Sequence, residues 1–170
     1  MTENTGGLVW HMCEANKDRK VDYVITETDQ EKRLTDRELK KECFLYAREK
    51  FQGSLFKNND TGRVILVSRD GLDEWYNKTK SRDQALSIKR LDNLLENGKL
   101  IDQSGDSYKR QYVEGFNYFS ASCKVNGTDY IAVITVKRTK DNPDKFYHYY
   151  LQDKKTEPRS GYGTSSENPI

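Results

Sequence analysis

The sequence predicts an α+β fold in which helices pack on one face of an antiparallel β-meander. Apolar residues recur at helical spacing in two segments of the first 97 residues, whereas apolar and polar residues alternate between residues 99 and 153. Eleven Tyr and six Phe against two Met favour aromatic packing on a sheet over a helical bundle. Helices and strands segregated in this way form two layers. The sheet face opposite the helices is then expected to be open and to hold a ligand.

The N-terminal part, residues 1–33, is predicted to be an extension or linker. Within it, Val21, Tyr23 and Ile25 alternate with polar neighbours in the pattern of one half-buried strand. The run 27–33 consists of charged and polar residues, which indicates a solvated linker.

Two helices are predicted in the first half of the chain. The first runs from about residue 36 to residue 50, because Thr35 and Glu38 have capping-box spacing in front of an apolar helical pattern. The second covers 83–97, with Ser81 as its N-cap. An Asn-Gly pair after the second helix is expected to close it. A short helix and an exposed loop are expected between the two.

The strands begin with a hairpin and continue as a meander. The hairpin joins 54–57 to 63–68 through a turn rich in Asn, Asp and Gly. Further strands are predicted at 108–124, as one long strand or two, and at 129–138 and 145–152, with an Asn-Gly turn between the first two of these segments. The tail 156–170 is rich in Ser, Gly and Pro and is expected to be disordered.

Several classes of function are excluded by what the sequence lacks. The three cysteines, Cys13, Cys43 and Cys123, are far apart, which argues against a disulfide framework or a zinc cage. His11 and His148 are the two histidines, so any histidine-based catalysis must use one of them. P-loop, dinucleotide-binding, nucleophile-elbow and zinc-protease motifs are missing, so we expect no metal and no cofactor. With neither a membrane-length apolar run nor a secretory signal, a cytoplasmic setting is expected.

Four segments, in their order and spacing, resemble the nuclease-like domain that ends MuF-type and large polyvalent phage proteins. They read FQGSLFKNNDTG at 51–62, SR at 81–82, VNGTDYIAVITVK at 125–137 and FYHYYL at 146–151. That family is placed with barnase, EndoU and RelE toxins. The resemblance implies a barnase/EndoU/RelE-like fold over 34–155 and a toxin or effector activity that cleaves RNA without a metal. RNA is then the expected substrate, and a host protein or a cognate immunity protein the expected partner.

Metal-free RNA cleavage needs a base, an acid and cations that stabilise the phosphorane. His148 is the leading acid or base candidate, although a histidine packed inertly in an aromatic strand would give the same sequence. Strict alternation places His148 on the same face as Phe146 and Tyr150. Depending on register, its neighbours on the next strand are Thr135 and Lys137 or Ile134 and Val136. With His148, we take Thr135 and Lys137 as the candidate catalytic residues.

Residues that could contact RNA lie in three places. They are Lys78, Lys80, Ser81 and Arg82 in the loop before the second helix, Lys137 and Arg138 at a strand end, and Lys109, Arg110 and Tyr112 in a stretch that mixes cations with an aromatic residue. The same residue types would also be found there if they only solvated strand ends, capped a helix or protected an edge strand.

Two hypotheses follow for the function, together with a third about the chain itself. The first is a metal-independent ribonuclease centred on His148. The second is a catalytically inactive phage module that binds nucleic acid or a host protein, for example a defence component. Family members often carry a histidine in the loop before the second helix, whereas here the loop reads NKTKSR at 77–82, which favours the second hypothesis. The third is that the chain is a piece of a larger polyprotein.

Overall fold

The computed structural model describes residues 21–105, 112–140 and 143–154. Within these residues the fold is α+β, as predicted, and seven strands form one sheet. The strands are β1 Tyr23–Ile25, β2 Leu55–Lys57, β3 Val64–Leu66, β4 Lys99–Gly105, β5 Val113–Val125, β6 Thr128–Thr139 and β7 Asp144–Asp153. The helices are α1 Asp29–Lys32, α2 Asp36–Phe51, α3 Arg69–Lys78, α4 Arg82–Ser87 and α5 Leu91–Asn97, with a 3₁₀ turn at Ile88–Arg90 between α4 and α5.

The sheet is mixed rather than purely antiparallel. Strands β4, β5, β6 and β7 pair antiparallel in chain order, as the meander prediction requires. However, β1 pairs parallel with β5, and β3 pairs parallel with β7. The order across the sheet is β1-β5-β6-β7-β3-β2, with β4 also paired to β5. The prediction of an all-antiparallel sheet is therefore wrong at both edges, where strands from the first half of the chain are added.

The helices pack on one face of this sheet and enclose the main core. Helix α2 begins with the predicted capping box between Thr35 and Glu38 and contributes its buried stripe to the core. On the sheet side, Phe119, Ile134 and Tyr149 are each exposed by 2% or less. At the Asn-Gly turn between β5 and β6, both residues have positive φ, 49° and 81°, as a type I′ hairpin requires.

The N-terminal segment departs from its predicted character. Strand β1 is present, as the alternation predicted, but the run 27–33 is not simply a linker. It contains helix α1, which starts with a capping box between Thr28 and Glu31. The Glu31 carboxylate also forms an ion pair with Lys89. The same charged residues that suggested a solvated linker are thus used for capping and ion pairing.

The second predicted helix is divided into α4, the 3₁₀ turn and α5. Ser81 is its N-cap, as predicted, and accepts a hydrogen bond from Gln84 N at 3.1 Å. Ser87 Oγ donates to the carbonyl of Gln84 at 2.7 Å where α4 ends, which offers the backbone an alternative to continuing the α-helix. The Asn-Gly pair closes α5 as predicted, with Gly98 as the C-cap, although Gly98 is extended, with φ −61° and ψ 141°. A Cβ there would lie 2.9 Å from the carbonyl oxygen of Leu94, so glycine allows a close approach.

The turn of the β2–β3 hairpin is tied to the end of α5 by Asn58, which is fully buried. Its Nδ2 donates to the carbonyls of Leu95 and Gly98 at 2.8 and 2.9 Å. Its Oδ1 accepts from the backbone N–H groups of Asp60 and Thr61. One side chain therefore satisfies donors and acceptors on both elements, which fixes the hairpin against the helices.

The outer edge of β7 is covered by helices rather than by a full strand. Strand β3 pairs with only the first two residues of β7, Asp144 and Lys145. Helix α3 packs against β7 as well. Gly71 of α3 approaches so closely that a Cβ there would lie 2.2 Å from the carbonyl oxygen of Phe146. Further along, the amide of Gln84 donates to Tyr149 O at 2.8 Å and accepts from Leu151 N at 3.4 Å. These contacts place α3 directly beside the strand that carries His148.

Candidate functional site

A β-bulge in β7 determines where His148 lies. His148 pairs with Thr135 and Phe146 pairs with Val136, so Tyr147 is an extra residue between them. The bulge shifts the alternation by one position, and Phe146 is buried in the main core at 1% exposure. The prediction that His148 shares a face with Phe146 is therefore wrong. Of the two registers that the sequence left open, the structure has Thr135 opposite His148.

The bulged Tyr147 is the centre of a small cationic and aromatic group. The ammonium of Lys78 lies 5.5 Å from the centre of its ring, and that of Lys137 lies 5.7 Å from it. The ring of Phe116 is 6.1 Å away, centre to centre. Cations over an aromatic ring are attracted by its quadrupole. We refer to His148, Tyr147, Lys78 and Lys137 as the His148 cluster.

The electrostatic environment keeps His148 neutral at pH 7. Burial and, to a lesser extent, the Lys78 charge lower the pKa of His148 from 6.5 to about 4, against the opposing effect of the Glu74 charge. The Nδ1 atom is buried and has no hydrogen-bond partner among the described residues. The imidazole is therefore a proton acceptor at neutral pH and not a proton donor.

Helix α3 supplies the other wall of the cluster. Glu74 and Lys78 lie one turn apart on it and form an ion pair of 2.8 Å, with both side chains partly exposed. Their position relative to His148 depends on the close packing of Gly71 against β7. The ion pair holds the ammonium near the Tyr147 ring, and the carboxylate stays within electrostatic reach of His148.

The loop cations that the sequence grouped with Lys78 lie elsewhere. Lys80 is exposed. Burial and, after it, the charge of Lys80 lower the pKa of Lys40 on α2, so Lys80 lies toward the helices. Arg82 donates to the carboxylates of Glu27 and Asp36 and to two backbone carbonyls. Its guanidinium links the N-terminal segment to α4, and we leave it out of the candidate site.

Arg138 follows Lys137 in β6 but makes its contacts outside the cluster. Arg138 donates to the carbonyl of Ser104 at 2.9 Å and lies against Gly115, where a Cβ would come within 2.5 Å of its guanidinium. Tyr112, next to β5, is 62% exposed. Lys109 and Arg110 lie outside the described residues, as does the tail that was expected to be disordered.

The centre of the sheet face opposite the helices is buried, contrary to the expectation of an open face. Ile131 and Val133 are each 1% exposed and form a second small core with Ile101 and Tyr150. The candidate site therefore lies at the β7 edge of the sheet, where α3 adjoins the bulge, and not at the middle of that face.

Sequence reasoning missed the contributions of Tyr147, Phe116 and Glu74. Tyr147 was missed because a bulge leaves no mark in an alternating aromatic run. Glu74 belongs to a helix whose position on β7 depends on long-range packing. The spacing of Glu74 and Lys78 was a usable signal, since charges four apart on a helix commonly pair.

Comparison with known proteins assigns the chain to a family but gives no close relative. The model of the family described as large polyvalent protein-associated domain 3 matches residues 35–149. This span runs from the start of α2 into β7 and includes the whole His148 cluster. No curated protein and no solved structure shows a match. In the described residues, no helix is long and apolar enough to cross a membrane.

Proposed function

Because this chain belongs to the large polyvalent protein-associated domain 3 family, we propose that it is a phage-associated ribonuclease that cleaves RNA without a metal ion. The observation that supports this is the His148 cluster, in which a neutral imidazole and an aromatic ring adjoin two ammonium groups. A barnase/EndoU/RelE-like architecture is part of the proposal. The helical layer and the consecutive antiparallel strands β4 to β7 are compatible with it.

The proposed reaction uses the cluster as base and cation pair. Neutral His148 takes the proton of a ribose 2′-hydroxyl, and the 2′-oxygen attacks the adjacent phosphorus. The ammonium groups of Lys78 and Lys137 stabilise the negative charge of the phosphorane, and one of them gives a proton to the leaving 5′-oxygen. The products are a 2′,3′-cyclic phosphate and a free 5′-hydroxyl. The paired rings of Tyr147 and Phe116 offer a surface on which an unpaired base stacks.

Such an activity has consequences for where the protein acts and what it meets. We propose RNA in the host cytoplasm as the substrate, reached after expression in the cell or delivery by the phage. A ribonuclease of this kind damages the cell that makes it, so a cognate immunity protein that covers the cluster is the proposed partner.

The experiment is cleavage of a short labelled RNA in EDTA at pH 7. Wild-type protein is expected to cut it, and His148→Gln is expected to lose about 100-fold or more in rate. Lys78→Gln is expected to be slower as well. The matched control is Lys50→Gln, because Lys50 also lies in the last turn of a helix and over a tyrosine ring, at 5.9 Å. Equal activity in wild type and His148→Gln would refute the proposal.

A second function, an inactive module that binds nucleic acid or a host protein, is favoured by one observation. Catalytic histidines are commonly oriented by a partner on the second ring nitrogen, and Nδ1 of His148 has no such partner in the described part of the chain. Under this hypothesis both wild type and His148→Gln leave RNA intact. The wild type and the variant then bind a labelled single strand, or a host protein captured from lysate, with equal affinity.

A further inference from the structure

A cleft of about 170 Å³ adjoins the His148 cluster, between helix α3 and the paired strands β6 and β7. Its helix wall carries the carboxylates of Asp70 and Glu74, one turn apart. Its strand wall carries Lys137 and Lys145, which are direct cross-strand partners. Tyr147 also lines the cleft, so the cleft and the cluster share two residues, Lys137 and Tyr147, where they meet.

The distribution of charge decides what kind of ligand suits this cleft. A simple anion would lie near two carboxylates, and a simple cation near two ammonium groups. A neutral ligand that offers hydrogen-bond donors to one wall and acceptors to the other avoids both conflicts. The ring of Tyr147 further favours a flat ligand that can stack. Nucleobases have these properties.

We propose that this cleft binds the guanine base of the RNA strand whose phosphate is held at the His148 cluster, an inference that rests on the proposed function. Guanine presents O6 and N7 as adjacent acceptors, and lysine commonly donates to that pair. This role falls to Lys145, since Lys137 is assigned to the phosphate. It also presents N1–H and the 2-amino group as adjacent donors, which fit the carboxylates of Asp70 and Glu74. Adenine and uracil lack both sets, and cytosine lacks the pair of adjacent donors.

The walls of the cleft are held at a fixed distance, so the cleft can discriminate between bases. Gly71, between Ser68 and Glu74, packs against the carbonyl of Phe146 with no room for a Cβ. Ser68 caps α3 by accepting a hydrogen bond from Gly71 N at 3.2 Å. A preformed site loses little free energy to rearrangement when the base enters.

The test is an NMR titration at pH 7 with the 5′-monophosphates of guanosine, inosine and adenosine, which share one phosphate and differ in the base. We expect the guanosine nucleotide to bind most tightly. Inosine should be weaker because it lacks the 2-amino group, and adenosine should be weakest. Asp70→Asn should weaken guanosine monophosphate about tenfold or more while leaving adenosine monophosphate nearly unchanged. Glu74→Gln is the second variant; it should weaken guanosine monophosphate as strongly, and adenosine monophosphate by a smaller factor, because Glu74 also holds Lys78.

The matched control is Asp73→Asn on the same helix, whose 50% exposed carboxylate faces Arg69 and should not affect binding. Equal affinity for all three nucleotides and for inorganic phosphate would overturn the proposal and leave a general anion site. The titration requires no cleavage, so guanine binding without RNA cleavage would contradict the proposed function alone. RNA cleavage with no preference for guanine would contradict the base-binding cleft alone.

Discussion

The depressed pKa of His148 predicts that the protein loses stability as the pH falls. In the folded state the pKa of His148 is about 4, because the ring is half-buried and Lys78 lies nearby, against 6.5 for an ordinary histidine. Between these two values the unfolded chain binds a proton at this position that the folded chain does not. The free energy of unfolding therefore rises with pH across this window and is lost as the pH falls from 6.5 toward 4.

The size of the effect follows from the same two values. A pKa lowered from 6.5 to about 4 corresponds to about 3 kcal/mol if the whole difference is expressed in stability. Because His148 is partly exposed, water screens some of this cost, and we expect a net loss of about 1–2 kcal/mol. Carboxylates elsewhere also titrate near pH 4, so the histidine contribution has to be isolated by a variant.

The assay is urea unfolding at pH 7.5, 5.5 and 4.5 for wild type and His148→Gln. The wild type should lose about 1–2 kcal/mol more than the variant over this range, since the carboxylates act equally in both. The histidine signals can be followed by NMR in parallel, because the chain has two histidines and the variant assigns them. A His148 signal that titrates near 6.5, with parallel stability curves for the two proteins, would refute the reasoning.

Three further predictions concern the supports of the site, all measured as unfolding free energies. Gly71→Ala should cost about 1–3 kcal/mol or more because its Cβ would meet a strand carbonyl at 2.2 Å, while Gly105→Ala, with no neighbouring atom within 4 Å of a Cβ, should cost much less. Equal costs would contradict the close packing of α3. Arg82→Gln should cost about 2 kcal/mol by leaving two carboxylates and two carbonyls without their donor, and a near-zero value would show that the N-terminal segment is not fixed by it. Asn58→Ala should cost about 2–3 kcal/mol because buried backbone groups lose their hydrogen-bond partners. The exposed Asn59→Ala should cost almost nothing, and similar values for the two variants would argue against the buried network.

Local signals in the sequence were sufficient for the elements that depend on local chemistry. Thr35 and Glu38 predicted the start of α2, and the capping box is present. The Asn126-Gly127 turn predicted a hairpin, and both residues adopt the positive φ that this turn requires. Ser81 predicted the start of α4. In each case two or three neighbouring residues determine the backbone conformation.

Features that depend on distant parts of the chain were not predictable in this way. Strand β1 pairs with β5, about 100 residues away, and β3 pairs with β7, about 80 residues away. No local pattern in the sequence encodes these parallel pairings. The bulge at Tyr147 put His148 and Phe146 on opposite faces, whereas strict alternation placed them on the same face. Arg82 was grouped with Lys78 by proximity in sequence, although its donors are directed to the N-terminal segment. Of the two registers left open, the one that pairs Thr135 with His148 is present, while the other members of the cluster required the structure.

The most direct test of the central claim, that His148 accepts the 2′-hydroxyl proton during cleavage, is the chemistry of the cut. A single-stranded RNA and a copy with every 2′-hydroxyl replaced by 2′-O-methyl would be incubated with wild type and His148→Gln in EDTA, and the products analysed by mass spectrometry. Wild type should produce 2′,3′-cyclic phosphate ends from the unmodified RNA and leave the methylated copy intact. Cleavage of the methylated copy, or the same products at the same rate from His148→Gln, would contradict the claim.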